Sequence, residues 1–217
     1  MTMEKIIIGR GGCQAEKIEN PEVGACHCSV TDHGNDTYMV NPVNHRATML
    51  NGERIFETTT CESVDTIRLG DNFEIKVKDA FVPYDVKEIK DWGVAANRFE
   101  RAIDAEVFRR VCLPLYELDE EEEKFLECNL KACQAYWLIG EGKLRAAQIL
   151  IYEAGDVLFA MQDDSAPLKN AYAAVMALVA YLYEKASLSD LANTARQRLS
   201  QLESNGAKGS QFVNDLK

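Results

Sequence analysis

Thr48-Met49-Leu50-Asn51-Gly52-Glu53-Arg54-Ile55-Phe56 decides how the first third of this chain is read. Asn-Gly is the dipeptide that most readily takes the positive φ angles of a tight turn, and short half-apolar runs flank it on both sides. Strands are therefore predicted at 48–50 and 54–56. Outward from this turn, up to about residue 78, apolar residues come in short alternating runs broken every few positions by Gly, Asn, Asp or Pro. Further strands are predicted at 6–8, 26–31, 37–40, 66–69 and 72–77. Asp32-His33-Gly34-Asn35-Asp36, Asn41-Pro42 and Gly70-Asp71-Asn72 supply the turns between them.

After a junction around 78–85 that contains Pro83, the apolar period becomes helical. Asn97 is expected to cap a helix carrying Phe99, Ile103 and Val107 as far as Pro114. A second helix is predicted from Asp119. Its Glu120–Glu123 run opposes the positive end of the helix dipole, and Leu126, Leu130, Cys133 and Trp137 form one face. Gly140-Glu141-Gly142 stops it. Leu144, Ala147, Ile151, Ala154 and Leu158 mark the next helix. Another starts at Asp164-Ser165-Ala166-Pro167 with Leu168, Tyr172, Val175, Val179 and Leu182 as its core face. The last, capped around Ser187-Leu188-Ser189-Asp190, carries Leu191, Ala195, Leu199 and Leu202. Short loops imply antiparallel neighbours. The expected fold class is thus β + α in several domains: an all-β region at 1–78, a linker at 79–96, an all-α antiparallel helical bundle at 97–204, and a flexible tail at 205–217.

The chain has 217 residues with 24 Lys+Arg against 35 Asp+Glu, a net charge of −11, which argues against nucleic acid or an anionic membrane as partner. The apolar run 171–183 is shorter than the roughly 20 residues a membrane span needs. Ile6-Ile7-Ile8 before Gly9-Arg10 is too short for a signal-peptide core, and an odd number of cysteines, seven, reads as reduced thiols. A cytoplasmic location is expected, without membrane insertion.

Four features of the β region, in order, resemble the forkhead-associated (FHA) domain, a β-sandwich that in most members reads phosphothreonine peptides through loops at one end. Gly9-Arg10 follows the first strand as the family's Gly-Arg does. Val23-Gly24-Ala25-Cys26-His27, after Asn20-Pro21-Glu22, lies where the family has Ser-x-x-His. Asn44-His45-Arg46-Ala47-Thr48-Met49-Leu50-Asn51-Gly52 aligns with Ser-x-Asn-Gly-Thr-x-x-Asn-Gly, and Asp65-Thr66-Ile67-Arg68-Leu69-Gly70-Asp71 is similar to the closing Gly-Asp-x-Ile-x-Leu-Gly strand. The resemblance covers about residues 4–78. It implies fold-keeping roles for His27, which in the family braces a binding loop by hydrogen bonding, and for Thr48, Asn51 and Gly52.

The binding chemistry departs from that pattern. The family's phosphate-contacting Ser is Gly24 here, and the Asn that fixes the peptide backbone is Arg46. Losing two hydrogen bonds to a charged group, each about 1.5 to 3 kcal/mol, weakens a phosphopeptide about a hundredfold or more. The expected function is therefore a non-catalytic protein–protein interaction adaptor binding in a phosphate-independent way. Its candidate surface holds Arg10, Gly24, Asn44, His45 and Arg46. The alternative is a phosphothreonine-peptide-binding signalling module in which Arg10, His45 and Arg46 form a cationic cluster with forked donors.

Other chemistry finds less support. On a strand the two cysteines of Cys26-His27-Cys28 face one way and His27 the other, which does not make a zinc site. All three histidines lie in the β region, no Gly-x-Ser-x-Gly elbow occurs, and Gly9-Arg10-Gly11-Gly12 lacks the Gly-Lys-Ser/Thr ending of a phosphate loop. No enzyme, metal or cofactor is expected. In the helical region, 135–154 with Leu138, Ala147, Ile151 and Ala154 is similar to a tetratricopeptide hairpin. Tyr136, Trp137, Tyr172, Tyr181 and Tyr183 read first as core and second as a partner surface. The helix holding the last three is expected to be buried nearly all round, as the centre of the bundle or as a homodimer interface.

Overall fold

A computed structural model describes residues 4–43, 46–161 and 165–209 of the protein. The chain divides into two compact units, Met1–Val86 with Val107–Glu117 and Lys87–Glu106 with Leu118–Lys217.

The first unit is built on eight strands: β1 (Lys5–Ile8), β2 (Cys28–Asp32), β3 (Tyr38–Pro42), β4 (Thr48–Leu50), β5 (Glu53–Ile55), β6 (Thr59–Cys61), β7 (Thr66–Leu69) and β8 (Phe73–Lys76). They form two antiparallel four-stranded sheets, ordered β1-β2-β3-β6 and β5-β4-β7-β8. The chain changes sheet between β3 and β4, returns for β6, and changes again for β7. In the second sheet β4, β7 and β8 alternate buried and more exposed positions, so each has one apolar face. Ile67 and Leu69 are fully buried, and each contributes about 2 kcal/mol by leaving water. In β1, by contrast, Ile6, Ile7 and Ile8 are all buried, because the chain folds back after it and Cys13 N–H donates to the Ile7 carbonyl at 2.9 Å.

Asn51 (φ 50°) and Gly52 (φ 84°) make the two-residue connection that sets Leu50 opposite Glu53, as the opening stretch predicts. Strand β6 is not among the predicted strands. Thr59-Thr60-Cys61 has no apolar alternation and pairs because β3 offers it an edge, with Tyr38 opposite Cys61. After β8 comes the short helix α1 (Val77–Ala80). Val107–Glu117 completes the unit with a π-helical turn at Phe108–Cys112 and a 3-10 turn at Leu113–Leu115. Phe108 is fully buried between the Tyr84 and Tyr116 rings, and the Tyr116 hydroxyl donates to the Tyr84 carbonyl at 3.1 Å.

The second unit is helical: α2 (Trp92–Arg98), most of α3 (Ala102–Val107), α4 (Glu120–Gly140), α5 (Leu144–Ala160), α6 (Ala166–Lys185) and α7 (Ser189–Ser204). Asn97 does not cap a helix. It lies inside α2, whose cap is Asp91, accepting from Val94 N–H at 3.1 Å, and the backbone turns extended at Phe99 before α3 begins. Asp119 and Ser165 cap α4 and α6 from the positions the sequence suggests. The short connections turn each long helix back on the one before, with α6 between α5 and α7 and also against α4, and with α2 on α4. Asn129, buried on α4, donates from Nδ2 to the carbonyls of Ile89 and Lys90 at 2.9 and 3.0 Å, fixing the turn that precedes α2. Along α6 the small residues Ala171, Ala173, Ala174, Ala177 and Ala180 are buried, whereas Tyr172 and Val179, expected in the core, are only half-buried. Among the described residues no helix is long and apolar enough to cross a membrane.

Candidate functional site

The candidate residues gather where β1 and β2 run on past their ladder. His27 N–H donates to the Ile8 carbonyl at 2.9 Å, Arg10 N–H to Gly24 and Gly11 N–H to Ala25, both at 3.0 Å. This approach requires Gly9, since a Cβ there would lie 2.3 Å from the Ala25 carbonyl oxygen. Fully buried Gln14 braces the turn from within, its Nε2 donating to the carbonyls of Gly9 at 2.8 Å and Glu16 at 3.0 Å. On the facing loop Asn20 Oδ1 accepts from Glu22 N–H at 2.9 Å, an Asx turn that rounds the corner at Pro21.

His27 ties this loop to the start of β4. Its Nδ1 accepts from Gly24 N–H at 3.1 Å and its Nε2 lies 3.2 Å from the Ala47 carbonyl, so the ring is neutral with its proton on Nε2. Burial pulls the His27 pKa below its ordinary value; the hydrogen bond to Ala47 opposes this and the Arg46 charge adds to it.

Both arginines of the candidate set turn toward the loop rather than away from it. Arg10 is buried, and its Nη1 donates to the Pro21 carbonyl at 3.1 Å and to the Val23 carbonyl. Arg46 is exposed at its surface but donates from Nη1 to the Glu22 carbonyl at 2.8 Å. Its stem crosses Gly24, where an added Cβ would meet Arg46 Cδ and Nε at 3.0 Å. Three consecutive carbonyls, of Pro21, Glu22 and Val23, are thus held by two guanidinium groups.

The other candidates are dispersed. Asn44 and His45 lie outside the described residues. Thr48 is fully buried, and its Oγ1 has no hydrogen-bond partner among the described residues. Asn51 and Gly52 sit at the opposite end of β4 from Arg46. Asn51 Nδ2 donates to Asp65 Oδ1 at 2.8 Å, and its Oδ1 accepts from Thr66 N–H at 3.0 Å, tying the hairpin to β7. Hydrogen bonds from Glu62 N–H and from Asn51 hold the Asp65 carboxyl below its ordinary pKa.

Cys26, His27 and Cys28 do not share a face. Cys28 is fully buried, with its thiol pKa pushed up by desolvation; Cys26 is half-buried, and His27 is committed to Gly24 and Ala47. Among the described residues no three His, Cys, Asp or Glu side chains gather as metal ligands would. Gln14 and Gly9 organise the site, yet sequence reading does not single them out for it. A lone Gln has no spacing signal, and Gly9 shows only as half of a Gly-Arg pair. No protein-family model matches the chain, and no curated protein matches it.

Proposed function

We propose that this protein is a non-catalytic adaptor in which the β unit is a divergent FHA-like β-sandwich. It presents the loops around residues 9–14, 20–27 and 46–47 to a protein partner in a phosphate-independent way. The observation that carries this reading is the passage of Arg46 across Gly24, with 3.0 Å left for a Cβ. In the family pattern these two positions hold the Ser that contacts phosphate and the Asn that fixes the peptide. Here one has no side chain, and the other lies over the place where it would stand. Arg10 and Arg46 already donate to the 21–23 carbonyls, so a phosphate would have to compete with hydrogen bonds that keep the loop folded. What survives of the pattern is the brace: His27 joining Gly24 to Ala47, and the Asn51-Gly52 turn. The net charge of −11 favours protein over nucleic acid as partner, and seven free thiols suit a cytoplasmic setting.

The competing reading, a phosphothreonine reader, is favoured by one observation: Arg46 is exposed, and a phosphate could draw it off Glu22. Titrating the full chain with a phosphothreonine peptide library and matched unphosphorylated peptides, at two salt concentrations, separates the two. The adaptor reading expects no preference for phosphate in the wild type. Salt-sensitive binding that requires phosphate and disappears in Arg46→Ala would replace it with the reader.

A further inference from the structure

A groove of about 420 Å³ runs along the helical unit between α5 and α7, with α6 as its floor. Tyr172, Val175, Met176 and Val179 form that floor, Phe159 stands on the α5 wall and Leu191 on the α7 wall. Phe159 is 78% exposed and Leu191 48%, which leaves a contiguous apolar strip of the kind that marks an interaction surface. The rim is ordered: Tyr152 on α5 and Tyr183 on α6 share a hydrogen bond of 2.8 Å between their hydroxyls.

The groove carries one charge of each sign. Asp156 lies on the α5 wall and Arg198 on the α7 wall; both are exposed, and neither forms an ion pair among the described residues. These charges sum to zero, so they select neither an acidic nor a basic foreign segment. They do complement each other. A two-fold axis parallel to α6 lays α5 of one copy over α7 of the other, bringing Asp156 to Arg198 of the partner subunit twice over while the apolar floors face each other. Three adjacent helices about 9 Å apart and about 25 Å long offer a face of roughly 600 Å², the low end of what each partner contributes to a specific interface. Each copy's charge of −11 opposes the approach.

We infer that the groove between α5 and α7 is an isologous homodimer interface, closed by a second copy of this chain through reciprocal Asp156–Arg198 pairing over the Phe159 and Leu191 walls. The pairing is independent of what the β unit binds, so the peptide titration and the experiment below can fail separately.

The test is sedimentation velocity of the full chain from about 1 to 200 µM, spanning the weak dimers that an interface of this size supports. It compares the wild type, D156R, R198D, the double variant D156R/R198D, and F159D, with circular dichroism melts as the check on folding. All three positions are exposed, so the fold should tolerate each change. The wild type should dimerise with concentration. Each charge reversal should weaken the dimer about tenfold or more, the double variant should recover to within about threefold of wild type, and F159D should be monomeric. A wild type monomeric throughout, a dimer indifferent to F159D, or a double variant no tighter than the single ones would overturn the assignment.

Discussion

The Cδ and Nε atoms of Arg46 lie 3.0 Å from the Cβ that Gly24 lacks, so the residue types at these two positions are coupled through space although 22 positions separate them. Gly24→Ser should push the Arg46 side chain aside and cost about 1 kcal/mol, the worth of its hydrogen bond to the Glu22 carbonyl. In an Arg46→Ala background the same substitution should cost less, because only the 3.1 Å approach of the new Cβ to the Cys26 carbonyl oxygen is left. Urea unfolding of the four proteins in a double-mutant cycle measures the coupling, and additive effects would show that Arg46 and Gly24 do not constrain each other.

His27 gives the β unit a pH dependence with a defined sign. Its folded pKa lies below the ordinary 6.5, so as the pH falls the unfolded chain takes up the proton first. The contribution of neutral His27 is therefore complete above about pH 6.5. It is lost as the pH drops through that value toward the lower folded pKa. Protonating Nδ1 also removes the acceptor for Gly24 N–H. Thermal unfolding of wild type and His27→Gln at closely spaced pH values between 7.5 and 5 should show a steeper loss in the wild type. Parallel curves would remove His27 from the account.

Asn129→Leu should destabilise the helical unit by about 3 kcal/mol. It strands the carbonyls of Ile89 and Lys90, each costing about 1 to 3 kcal/mol when buried without a donor. Chemical denaturation followed by helical circular dichroism reads this directly, and a change under about 1 kcal/mol would mean that water reaches those carbonyls.

What could be read from sequence follows from how local each determinant is. Asn51-Gly52 specifies its own turn, and Asp119 and Ser165 cap the helices they precede, because those interactions span three or four residues. Strand β6 escapes notice because Thr59-Thr60-Cys61, although its threonines favour extended backbone, has no apolar alternation to mark a buried face; the edge of β3 recruits it. The helix expected from Asn97 to Pro114 is instead α2, an extended break at Phe99, α3 and a π-helical turn, since Asp91 offers an equally good cap six residues earlier. Tyr172 and Val179 read as core because apolar spacing does not distinguish a covered face from an open one. Here the alanines of α6 take the close packing and leave the larger residues to the groove. At the loop end, the residue types flag His27, Arg10 and Arg46. That both guanidinium groups donate to the same 21–23 carbonyls emerges only when residues 9–12, 21–24 and 46–47 are brought together.

The first unit is finished by Val107–Glu117, a stretch that follows α2 in the chain. As the polypeptide leaves the ribosome, both sheets can form before Phe108 arrives to sit between Tyr84 and Tyr116. Residues 87–106 emerge in the meantime and must wait for α4, which alone supplies Asn129 to hold their leading turn. Each unit therefore has to hold an unfinished state open while a part of the other is synthesised. Nascent chains arrested just before and just after Glu117 would bracket the moment at which the sheets acquire their full resistance to protease.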